Sequence, residues 1–224
     1  APTEIYTLSL HDALPICMTE VKVKVEERSE SITDWLRVQV SVITHPVARL
    51  LNKWGVHPNT VTILGALSTT VAAAVVATGR LTLGGWLLFL TSSFDMFDGA
   101  LARVTGKKSR FGAFLDSTLD RISEGILLFG LLVWVLSGGL HLEVYLIFAS
   151  LLGSVLVSYT RARAEGVGYE CKTGLLTRVG RVILMGCGLI FGLVRPMLIM
   201  LAALSWVTVL QRIFSVYRQS RLNP

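Results

Sequence analysis

Cysteine is scarce in this chain: Cys17, Cys171 and Cys187 are the only three, in no metal-ligand spacing and no even framework. They read as free thiols, and no disulfide scaffold is implied. Charge is scarce as well. Asp, Glu, Lys and Arg make up 16% of the 224 residues, against 52% hydrophobic residues and a mean hydropathy of +0.62. That balance places the chain among membrane proteins. The apolar runs lack two-residue alternation, which argues against a closed β-barrel. Internal repeats and low-complexity segments are missing. The first residues lack the basic region and long apolar core of a secretory signal.

Residues 1–17 do not match the rest of the chain and read as a non-native leader resembling translated adaptor sequence, with the natural start at Met18. Residues 18–57 form a lead-in. Its first part, 19–30, is charged and has no wide apolar face. From Ser31 to Trp54 apolar residues recur at helical spacing among Arg37, Arg49 and Lys53, with Ser31 and Asp34 as candidate caps. This stretch is too interrupted to cross a bilayer and is expected to be an interfacial amphipathic helix, bent or broken at Pro46. Asn59 or Thr60 is expected to cap the next helix.

Residues 58–224 hold apolar spans near the roughly 20 residues a bilayer needs. They are placed at 60–78, 82–104, 112–136, 140–163, 174–194 and 196–217. The expected fold is therefore an all-α membrane protein with six transmembrane helices after a juxtamembrane amphipathic helix. The formal net charge is +6. The basic residues gather on one side, at Arg103 to Arg110, Arg161 to Arg181, and Arg218 with Arg221; the other side has Arg80 and Arg195. This pattern serves membrane orientation and anionic lipid rather than nucleic acid, and it puts the basic loops in the cytoplasm.

Four carboxylates stand out against that background. Asp95 and Asp98 are three residues apart on one helix face, and Asp116 and Asp120 four apart on another. Ionisable groups at membrane depth usually mark a site. Both pairs lie near the cytoplasmic ends of adjacent antiparallel spans, and charges so close repel unless cations neutralise them. All four are candidate metal ligands. An oxygen-only donor set suits Mg²⁺ or Mn²⁺ and not zinc, and a pair of ions could clamp attacking and leaving oxygens. Gly99 and Gly112 leave room for close approach, and Arg103 is a candidate phosphate partner. An intramembrane ion or proton carrier would also use buried acids, but would spread them through the membrane rather than cluster them at one end.

The run Asp95-x2-Asp98-Gly99-x2-Ala102-Arg103-x8-Gly112-x3-Asp116-x3-Asp120 resembles the full signature of the CDP-alcohol phosphotransferases. The resemblance extends from about Ser31 to the C-terminus and takes in Pro58, Asn59 and Thr62. It implies a multi-pass enzyme of the cytoplasmic membrane, active site facing the cytoplasm, that displaces CMP from a CDP-linked lipid; homodimers are expected. It also implies that Asp95, Asp98 and Asp116 hold the metal and the diphosphate. Asp120 would be the general base. Gly99, Ala102, Arg103 and Gly112 would line the CDP site beside Asp95 and Asp98.

Arginines further along bear on the acceptor. Arg161, Arg163, Arg178, Arg181 and Arg212 suggest a phosphorylated alcohol, and Arg212, inside the last span, is expected to need an anion. The SYTRARAEG and TVLQR stretches resemble the phosphatidylinositol-phosphate synthase branch, which joins CDP-diacylglycerol to inositol 1-phosphate. Carried over, Ser158, Arg161, Arg163, Arg181 and Arg212 would bind the acceptor phosphate. Thr177-Arg178-Val179-Gly180-Arg181 departs from the acidic residues expected there. A phosphatidylglycerophosphate synthase using glycerol 3-phosphate is the alternative.

Overall fold

Apolar runs punctuated by Gly, Ser and Pro can satisfy their backbone in a bilayer only as helices. The computed structural model describes residues 46–106, 109–171 and 173–222, and these are helical with no strand among them. The leader and residues 18–45 lie outside the described residues. A short helix, α1 (46–53), is followed by α2 (Pro58–Ala77), α3 (Leu81–Ser92), α4 (Phe94–Val104), α5 (Arg110–Ser137), α6 (His141–Gly166), α7 (Arg178–Ile190) and α8 (Val194–Leu222).

Three of these, α2, α6 and α8, are long and apolar enough to cross a membrane. The expected second span is two helices. At the junction Ser93 Oγ donates back to the Phe89 carbonyl at 3.1 Å, and such back-bonding at a Ser pair bends a helix. The expected fifth span is shortened to α7, because residues 173–176 run along α8 instead. There Leu175 N donates to Gln211 Oε1 at 3.2 Å and Leu176 N to Thr208 Oγ1 at 3.1 Å. At 28 residues α5 is about 42 Å long, more than the roughly 30 Å of hydrocarbon, and its charged residues all lie between Arg110 and Glu124.

The helices meet through small residues, as membrane helices do. Gly130 of α5 lies against the Ala73 backbone of α2, and a Cβ on Gly85 of α3 would sit 2.9 Å from the Gly186 carbonyl of α7. An apolar core including Val76, Leu88, Leu128, Leu131, Leu189 and Leu201 fills the centre. A smaller cluster, Ala48, Val61, Ala100 and Leu101, ties α1 to α2 and α4. His57 caps α2, accepting from Asn59 N at 3.2 Å, in place of the expected Asn59 or Thr60.

Candidate active site

The loop between α4 and α5 makes them antiparallel neighbours, so the positions pair across them in reverse order. Asp98 and Asp116 are nearest the loop, with Asp95 and Asp120 one turn deeper. Ser109 caps α5 by accepting from Gly112 N at 2.9 Å, which sets where α5 begins. Oxygens of Asp95, Asp98 and Asp116 lie within 4.8 Å of one another. Thr62 Oγ1 of α2 donates to Asp98 Oδ2 at 2.7 Å. Asp116 Oδ1 is buried with no hydrogen-bond partner among the described residues. Three converging carboxylates, one with an orphaned buried oxygen, fit a hard divalent cation.

Asp120, expected as a fourth ligand, falls outside this trio. Its side chain is only 8% exposed, and each oxygen faces a guanidinium: Oδ1 lies 2.5 Å from Arg178 Nη2, and Oδ2 lies 3.2 Å from Arg121 Nη1. The same Arg178 nitrogen reaches Asp95 Oδ2 at 2.6 Å. Thr177 places Arg178 there by capping α7, its Oγ1 accepting from Gly180 N at 3.3 Å.

Two cavities flank the carboxylates. A cleft between α2, α4 and α5 is lined by Pro58, Asn59, Thr62, Asp98, Gly99, Ala102, Arg103, Ser109, Gly112, Ala113 and Asp116. It contains the expected CDP-site residues except Asp95. A Cβ on Gly112 would sit 3.0 Å from Ser109 Oγ and 3.1 Å from Asn59 Oδ1, so glycine keeps this wall open. The second cavity is smaller and lies toward α7. Its lining includes Asp95, Asp120, Ser123, Glu124 and Arg178.

The family model for CDP-alcohol phosphatidyltransferase matches residues 55–214. The chain belongs to the CDP-alcohol phosphatidyltransferase family. It is thus built as a transferase. Among this phosphatidyltransferase's relatives, the archaetidylinositol phosphate synthase of Pyrococcus horikoshii is 36% identical over 189 residues, 84% of this chain and 98% of that one. The phosphatidylinositol phosphate synthase of Mycobacteroides abscessus is 40% identical over 183 residues, covering 78% and 83%. The Mycobacterium tuberculosis phosphatidylinositol phosphate synthase has been solved with CDP-DAG bound; it superposes with a TM-score of 0.75 at 34% identity, over 78% of this chain and 94% of that one. The same enzyme in complex with manganese and citrate gives 0.71 at 35% identity, over 78% and 88%.

The expected acceptor arginines divide in this phosphatidyltransferase. Ser158 sits beside the carboxylates, accepting from Arg121 Nε at 2.7 Å. Arg161 and Arg163 are exposed on α6, and Arg161 pairs with Glu165 at 2.8 Å. Arg181 is buried, 2% exposed, and paired with Glu124 through Nε and Nη2. Arg212 is held by backbone carbonyls, Nε donating to that of Thr173 at 3.0 Å and Nη1 to that of Val157. Through Thr173 it pins the loop before α7. Sequence reasoning left Arg121 and Glu124 out of the site, and counted Arg178 among the acceptor arginines without its pairing to Asp95 and Asp120. Glu124 carried a usable signal, lying one turn beyond Asp120 on the same face of α5.

Proposed function

We propose that this protein transfers the phosphatidyl group of CDP-diacylglycerol to inositol 1-phosphate, releasing CMP. The observation that carries this is the trio Asp95, Asp98 and Asp116 beside an open cleft, in a chain similar along most of its length to phosphatidylinositol phosphate synthases. The nucleotide lies in the cleft, where Gly99 and Gly112 admit it closely and Arg103, in the last turn of α4, meets phosphate. A divalent ion, Mg²⁺ or Mn²⁺, held by Asp95, Asp98 and Asp116 would neutralise the diphosphate charge that grows as CMP leaves.

Asp120 takes the proton from the inositol hydroxyl. The oxygen forms a bond to the phosphorus that carries the diacylglycerol, and the bond from that phosphorus to CMP breaks. Such a displacement depends mostly on position and charge. Arg178 and Arg121 orient the Asp120 carboxylate, and Arg178 offers the acceptor phosphate a guanidinium on the α7 side.

In this reading α3 and α4 act as one bent span, giving six crossings with α2, α5, α6, α7 and α8. The basic ends of α4, α6 and α8 lie at the cytoplasmic face, so lipid tails stay in the bilayer while headgroup and nucleotide meet water. The test is CMP release by purified protein with CDP-diacylglycerol and Mn²⁺ or Mg²⁺. Release is expected with inositol 1-phosphate. Release with glycerol 3-phosphate alone would overturn the acceptor, and failure to release CMP with any alcohol would overturn the reaction.

A further inference from the structure

Below the carboxylates a second polar layer repeats the first, one turn deeper on the same three helices. Asp120 and Glu124 are four apart on α5, Arg178 and Arg181 three apart on α7, and Ser158 and Ser154 four apart on α6. In the upper layer Arg178 meets Asp120, and Arg121 meets Ser158. In the lower layer Arg181 Nε donates to Glu124 Oε1 at 2.7 Å and Nη2 to Oε2 at 3.1 Å. Ser154 Oγ also donates to Glu124 Oε1, at 2.5 Å. Glu124 therefore ties α5 to both α6 and α7.

A two-pronged arginine–carboxylate pair is directional as well as attractive. Buried pairs of this kind often add little stability compared with apolar residues of similar volume, which leaves geometry as their use. Here the geometry matters because α7 is short, 13 residues, and its first residue is Arg178. A rotation or slip of α7 relative to α5 would carry Arg178 away from Asp95 and Asp120, since residues three apart share one helix face.

We infer that Glu124 is a positioning residue: by gripping Arg181 it sets the rotation and depth of α7, and so holds Arg178 between Asp95 and Asp120 during transfer. This rests on the phosphatidyl transfer proposed above. Glu124 acts through Arg178 and has no part in the bond changes.

The test is a double-mutant cycle on the full chain in detergent, read as CMP release with inositol 1-phosphate. Glu124→Gln combined with Arg181→Met removes both charges and leaves neither unpaired. This pair is expected to lower kcat/KM for inositol 1-phosphate by about tenfold while Mn²⁺ affinity stays within about twofold. Combined with Arg178→Lys, the losses should fall short of their product by about fivefold or more, because both disturb one arrangement. Arg195→Gln is the control: it breaks the similar pair with Glu143, 2.7 Å apart near the start of α6, and should combine with Arg178→Lys independently. Glu124→Asp keeps the charge but shortens the grip; it should show the same coupling and serves if the first variant does not fold. Wild-type kcat/KM in these variants, or losses that multiply with that of Arg178→Lys, would overturn the positioning role alone. Wild-type protein that releases no CMP with any alcohol would overturn the transfer itself, and this inference with it.

Discussion

Nη2 of Arg178 lies 2.5 Å from Asp120 Oδ1 and so brings α7 onto the face of α5 that carries the candidate base. Because Nη2 also reaches Asp95, a single cation neutralises acids from two helices. Arg178→Ala leaves both acids without it. We expect kcat/KM for inositol 1-phosphate to fall about 100-fold, the scale of a lost charge-assisted contact. Tm without metal should drop, and added Mn²⁺ should raise Tm more in the variant than in wild type. Wild-type kinetics in Arg178→Ala would contradict its placement in the site.

Thr62 bears on the metal trio from outside it. Thr62→Val keeps the shape and removes the 2.7 Å hydrogen bond to Asp98 Oδ2. Groups that orient a ligand carboxylate typically matter by about 10- to 100-fold in metal affinity. Mn²⁺ binding, followed by titration with electron paramagnetic resonance, should weaken by about tenfold, with Tm of the metal-free protein little changed.

Two glycines should behave differently. Gly112→Ala narrows the cleft at Ser109 and Asn59, so the KM for CDP-diacylglycerol should rise by about tenfold while the KM for inositol 1-phosphate stays constant. Gly130→Ala drives a Cβ into the Ala73 backbone at the α2–α5 crossing, and yield and Tm should fall whatever the substrate. Steady-state kinetics and thermal unfolding of the two variants separate the roles.

Arg212→Ala should loosen the loop that leads into α7. The guanidinium holds the carbonyls of Thr173 and Val157, and charged hydrogen bonds of this kind contribute about 1.5–3 kcal/mol. Hydrogen exchange at Leu175 and Leu176 should quicken by about tenfold or more, with the effect on turnover transmitted through Arg178. Unchanged exchange there would contradict the anchoring role.

The reacting end of this molecule was largely legible in the chain. The spacing of Asp95, Asp98, Asp116 and Asp120 with Gly99 and Gly112 reports local helix geometry, and the antiparallel joining of α4 and α5 turns it into a site. Arg178, Glu124 and Arg212 were harder because their partners come from distant parts of the chain, 58 residues away from Arg178 in the case of Asp120 (178 less 120). A charge count cannot tell a phosphate-binding arginine from one satisfied by Glu124 or by backbone carbonyls. The division at Ser93 and the late start of α7 were hidden for a related reason. Hydropathy runs straight through both places, whereas side-chain bonds to Phe89, Thr208 and Gln211 decide where the helices turn.

The most direct measurement is transfer of label from radiolabelled inositol 1-phosphate into solvent-extractable lipid, followed alongside CMP release from CDP-diacylglycerol. Label should enter lipid one for one with CMP, require Mg²⁺ or Mn²⁺, and vanish in Asp120→Asn while CDP-diacylglycerol binding persists. CMP release with no label in the lipid, or undiminished transfer in Asp120→Asn, would contradict the proposed reaction and its base.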